Sequence, residues 1–140
     1  MFPKLTAATF GVALMLASPA LAAGDAPLNA APPPAPYAKV SDLVPLPDFL
    51  PGLGTLFVDP ATLPAGPFLG YDHDGKLAAT IYMTPIEDLQ NGTSYDDLAM
   101  GAHAVSSVDI YYNAGHPGVD KPHAHVVLFH GADAKARLAK

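Results

Sequence analysis

Lys121-Pro122-His123-Ala124-His125-Val126-Val127-Leu128-Phe129-His130 decides the fold, because the strongest strand signal in the chain coincides there with its densest group of metal-ligand side chains. Proline at a strand entrance lacks only an N–H that an edge can spare, and the β-branched and aromatic residues after it favour a pleated surface. Side chains alternate along a strand, so His123 and His125 share a face with Val127 and Phe129. Their backbones are then about 6 to 7 Å apart, near enough for both imidazoles to converge on one cation.

Working outward, residues 105–113 supply a partner strand. Val108, Ile110 and Tyr112 alternate with Ser107, Asp109, Tyr111 and Asn113. Directly opposed residues in an antiparallel pair share a face. Burying the apolar set Val108, Ile110, Tyr112 with Ala124, Val126 and Leu128 therefore places Asp109, Tyr111 and Asn113 on the histidine face. His103 has the same parity if the strand extends backwards, whereas His130 has the opposite parity and is predicted not to join His123 and His125. The connection from Ala114 to Lys121 is rich in Gly and Pro and reads as a shaped loop that carries His116 and Asp120 beside the strand entrance. The sharp reading is a divalent-metal site on His123 and His125, with a third ligand from His116, His103, Asp109 or Asp120. Imidazole and carboxylate without thiolate suit zinc, copper or nickel, and three ligands leave a position for water. The competing reading makes His123 and His125 half-exposed sheet residues hydrogen-bonded to Asp109 and Tyr111.

The chain opens with a basic start at Lys4, an apolar run from Leu5 to Leu16 and Ser18-Pro19-Ala20-Leu21-Ala22-Ala23. That order predicts a signal peptide over residues 1–22, cleaved after Ala22 or Ala23, and hence a periplasmic or secreted protein of a Gram-negative type of bacterium. The chain has no cysteine, which excludes disulfides, thiolate ligands and a lipid-anchor cysteine. The formal charge is −6 and becomes −7 without Lys4. An acidic chain without a Lys/Arg cluster argues against nucleic acid and against stable membrane association after cleavage.

About 117 residues would remain, enough for one domain. Residues 23–39, rich in Pro and Ala, read as a disordered tether, and residues 40–140 as a single mainly-β domain. The prolines among the apolar residues of Val40 to Leu50 predict a packed, non-repetitive arm in preference to a helix or a central strand. Thr55–Val58 reads as a strand stopped by Asp59-Pro60. Phe68–His73 and Lys76–Met83 form a hairpin around Asp74-Gly75, for which a two-residue type I′ turn is expected. The Asp-His-Asp-Gly run fails the EF-hand pattern, and His73 is expected in solvent. Thr84 as N-cap, Pro85, Glu87 and Asn91-Gly92 predict a short helix with a capping box. The expected class is α+β: a mainly antiparallel sheet built from hairpins, with one or two short helices.

Several motifs together resemble a family of small secreted bacterial proteins known as a domain of unknown function: Pro51-x-Leu53-Gly54, Asp59-Pro60-x-x-Leu63-Pro64-x-Gly66-Pro67, Gly75-Lys76 with Tyr82-Met83, Val108-Asp109-Ile110, Gly115-His116-x-Gly118 and Pro122-His123. The resemblance runs from about residue 51 to 130. It implies one small, mainly antiparallel domain and no particular activity. The family pattern has Gly-x-His near the first strand and a Pro-His-x-Asp-x-His strand, where this chain has Leu56, His125 and Val127. Three functional classes remain open at this point: an exported small binding protein for a divalent metal such as zinc or copper, a metal-dependent hydrolase with Asp109 or Asp120 as base, and a non-catalytic module whose sheet edges assemble a homo-oligomer. No residue is assigned a catalytic role.

Overall fold

The computed structural model describes residues 28–100 and 103–140, so the expected signal peptide lies outside the described residues. Six strands form one antiparallel sheet: β1 (Ala38–Lys39), β2 (Thr55–Val58), β3 (Phe68–Tyr71), β4 (Leu77–Pro85), β5 (Ser107–Asn113) and β6 (His123–Phe129). Their spatial order is β1-β2-β3-β4-β6-β5. Among the described residues three short α-helices accompany them: α1 (Val40–Leu43), α2 (Ile86–Gln90) and α3 (Ala134–Leu138). The fold is therefore α+β with a mainly antiparallel sheet. No helix among the described residues is long and apolar enough to cross a membrane.

β6 lies between β4 and β5, and both pairings follow the expected parity. His125 faces Tyr111 on one side and Met83 on the other, while His123 faces Asn113 and Pro85. The side that is buried is the reverse of the expected one. His123, His125, Val127 and Phe129 point into the main core, where they join Leu56, Val58, Phe68, Ile81 and Met83. The apolar set of β5 faces outward, with Ile110 70% and Tyr112 63% exposed. Alternation shows which residues share a face. Burial depends on which face the remaining chain covers, and the apolar cover lands on the histidine side. Val40, Val44, Leu46, Leu50 and Leu53 from the arm, Val119 from the loop, and Ala134 and Leu138 from α3 all pack there. The outer nitrogens of both histidines find partners, His123 Nδ1 at the Lys121 carbonyl and His125 Nδ1 at the Tyr111 hydroxyl, which offsets part of the cost of burying polar rings.

Three local expectations are also corrected. Residues 28–39 do not form a tether: Leu28, Ala31 and Tyr37 pack on a second cluster with Phe57, Leu69, Tyr71 and Leu77. The Tyr71 hydroxyl donates to the Leu28 carbonyl at 2.8 Å. This opposite face of β2–β4 is apolar enough to hold the segment against the sheet. The hairpin turn is not type I′, because among its residues only Gly75 takes a positive φ, at 73°. Its geometry is set by buried Asp72, whose Oδ1 accepts the N–H groups of Asp74 and Lys76 at 3.0 and 2.8 Å. Finally, Thr84 caps no helix. β4 continues through Pro85 because Thr84 pairs with Ala124 and Pro85 with His123, so α2 begins at Ile86 without a side-chain cap. Glu87 instead meets Lys121 at 2.9 Å.

α3 closes the fold. Leu138 is fully buried, and the Arg137 guanidinium pairs with Asp72 on the far side of the β3–β4 turn. Burial acts to raise the Asp72 carboxyl, but the Lys76 N–H and Arg137 more than offset it and hold it below its ordinary value.

Candidate metal centre

Three histidines meet at the entrance of β6. The strand supplies His123 and His125 from one face, and the loop supplies His116 by a local device legible in its residues. His116-Pro117-Gly118-Val119 closes with His116 and Val119 bonded in both directions, at 3.0 and 2.9 Å. Proline in the second place and Gly118 at φ 87° suit a type II turn. A Cβ on Gly118 would lie 2.9 Å from Val44 Cγ1, so the glycine also lets the loop seat against the arm. The turn sets the His116 ring edge-on to His123, with centroids 4.9 Å apart and planes at 85°.

The ring nitrogens converge. His123 Nε2 lies 3.2 Å from His116 Nε2 and 2.9 Å from His125 Nε2, and one ligand nitrogen from each of the three falls within 4.8 Å of the others. Nitrogens bound tetrahedrally to zinc stand roughly 3.3 Å apart, given bond lengths near 2.0–2.1 Å. The outer nitrogens fix the tautomers. His123 Nδ1 is 2.7 Å from the Lys121 carbonyl and His116 Nδ1 is 3.0 Å from the Pro117 carbonyl. A carbonyl oxygen cannot donate, so both rings carry their proton on Nδ1 and present a bare Nε2 lone pair. Two lone pairs thus face each other at 3.2 Å with no proton between them. A proton on His125 Nε2 could bridge to His123 but would leave the His116 contact repulsive. A cation among the three nitrogens satisfies all of them.

An extra proton on His125 is disfavoured at neutral pH. Burial, followed by the proximity of His123 and His116, pushes the His125 imidazole down to about 4. Its Nδ1 lies 3.0 Å from the Tyr111 hydroxyl, while burial and Asp109 raise Tyr111 and keep that hydroxyl protonated. Hydrogen-bonded outer nitrogens orient imidazoles for metal binding and strengthen them as ligands.

The other sequence candidates lie elsewhere. Asp109 is on the histidine face, as expected, but it pairs with Lys135 at 2.6 Å. Asp120 is exposed and outside the three-histidine group. His103 stands beside His130 instead, with ring centroids 5.2 Å apart. His130 is separate from the triad, as its parity predicted. His73 is exposed and stacks on Phe49.

Sequence reasoning missed what adjoins the triad. A cavity of about 300 Å³ runs beneath the arm, walled by aliphatic residues including Val40, Val44, Leu46, Leu56 and Val58, with Phe68 and Met83. At one end it reaches Tyr111, Asn113, His116 and His125. The proline-punctuated apolar residues of the arm signalled packing. Nothing in their spacing signalled that they would roof the histidine face.

No protein-family model and no curated protein matches this chain. Among solved structures, it is similar to the hypothetical protein TTHB210 from Thermus thermophilus. The two are 39% identical with a TM-score of 0.58, over 67% of this chain and 88% of the other.

Proposed function

We propose that this chain, which belongs to the same protein family as the Thermus thermophilus hypothetical protein, is a small exported binding protein that holds one divalent metal ion on His116, His123 and His125. The observation that carries the reading is the pair of carbonyl-fixed tautomers, which leave bare Nε2 lone pairs facing each other at 3.2 Å. Three neutral nitrogen ligands favour zinc or copper over the hard, oxygen-seeking cations. Export is supported by the leader-like residues 1–22 and by the motifs resembling a family of small secreted bacterial proteins. A binding role has more support than hydrolysis, because Asp109 is engaged by Lys135 and Asp120 lies outside the histidine group.

The test is metal content by mass spectrometry on untagged mature protein from the periplasmic fraction, beside a His123→Ala/His125→Ala variant. Near-stoichiometric zinc or copper in the wild type, absent from the variant, is the expected outcome. A wild type that is metal-free and takes up neither ion at micromolar concentration would overturn the reading.

A further inference from the structure

The cavity under the arm adjoins this site. It is walled almost entirely by aliphatic and aromatic carbon, and among the described residues no Lys, Arg, Asp or Glu lines it. His116 and His125 line it, whereas fully buried His123 does not, so the cavity opens on the side of the triad away from His123. A divalent ion on three neutral imidazoles keeps its full charge of two in apolar surroundings, with no protein carboxylate in the triad to offset it. An anionic oxygen donor in the open position would do so.

Two further donors stand at that end. If His125 Nδ1–H donates to the Tyr111 oxygen, the Tyr111 O–H is free to donate onward. The Asn113 Oδ1 accepts the Gly115 N–H at 2.9 Å, leaving its NH₂ group available. We propose that the cavity seats a small carboxylic acid with an apolar body, its carboxylate on the metal and on the Tyr111 and Asn113 donors and its body among Val40, Val44, Leu46, Leu56, Val58 and Phe68. An apolar cavity of about 150 Å³ accommodates benzene. One of about 300 Å³ suits a body roughly twice that size, an eight-carbon chain or a substituted ring. This inference rests on the metal reading.

The experiment uses mature protein loaded with zinc, or with cobalt(II) as a coloured substitute, with metal content measured on every sample. Octanoate is the probe, and octanol and acetate supply the body and the head separately. Octanoate is expected to bind at least about tenfold more tightly than either comparator and to shift the cobalt absorption bands, which octanol leaves unchanged. From butanoate to octanoate, affinity should rise roughly fourfold per methylene and then level off as the cavity fills. Leu43→Trp, at a rim position 44% exposed, should retain the metal and lose at least about tenfold in octanoate affinity. Metal-loaded protein that binds octanoate no better than octanol, or without any change in the cobalt bands, would overturn the inference while leaving the metal site standing. Octanoate affinity unchanged in Leu43→Trp would move the ligand out of the cavity and overturn it too. Protein that takes up no metal would sink both readings.

Discussion

The molecule contains two histidine clusters, and their ring nitrogens are engaged differently. In the pair His103–His130, the buried His130 ring is satisfied on both sides: Nε2 meets the Thr80 hydroxyl at 2.8 Å and Nδ1 meets the Ala104 carbonyl at 3.2 Å. It is a core histidine that ties β4 to the segment preceding β5. In the triad only the outer nitrogens are occupied by carbonyl or hydroxyl, and the inner ones are aimed at one another. Proximity does not distinguish the two, since ring centroids are 5.2 Å apart in the pair and 4.9 Å in the triad. The direction of the unoccupied lone pairs does.

The largest effect that would break this contrast is metal-dependent stability. Zinc at a hundredfold excess over its dissociation constant should stabilise wild-type protein by about 2.7 kcal/mol, read as a rise in the thermal midpoint. His123→Ala should abolish the rise, and His103→Ala should leave it intact. An equal loss in both variants would mean that the two clusters act as one.

Next, His130→Ala should destabilise the metal-free protein by about 2 kcal/mol in denaturant titration, because it leaves a cavity and strips the Thr80 hydroxyl of its partner. Its metal content should match wild type. Tyr111→Phe sharpens the comparison from the other side. Removing the hydroxyl on His125 Nδ1 should keep the metal stoichiometric but weaken affinity by about tenfold in competition with a chelator.

The smallest expected effect is a pH slope. Burial lowers the His130 imidazole, with a further lowering from His103, although its bond to Ala104 acts against the shift. The unfolded chain then binds the proton near pH 6.5 while the folded one does not, so stability rises with pH in that range and falls as pH drops below about 6.5. One such proton contributes at most about 1.4 kcal/mol per pH unit. Metal-free His130→Gln should show a shallower slope than metal-free wild type in urea titrations between pH 5 and 7. An unchanged slope would mean that His130 is not held neutral by the fold.

Much of this was readable in the residues. Period-two alternation in β6 places His123 and His125 together. Opposed parity in β5 brings Tyr111 and Asp109 to the same side, and Pro117-Gly118 encodes the turn that swings His116 over them. These are local properties, set by strand pleat and turn geometry within about twenty residues. The sequence by itself determined an antiparallel sheet built from hairpins and the histidines that could share a face.

Tertiary structure alone decided which face went inside, and with it the site. The β5–β6 ribbon is apolar on one side and carries histidine, valine and phenylalanine on the other, so either could have been buried. The choice fell to segments far away in the chain: the arm ending at Leu53, which roofs the cavity, and α3, which buries Leu138. Among the candidate third ligands, parity allowed His103 and Asp109. Only packing paired Asp109 with Lys135, set His103 beside His130 and left His116 to complete the triad. Contacts between distant segments follow from how apolar area is covered across the whole domain, a quantity that no single stretch of residues contains.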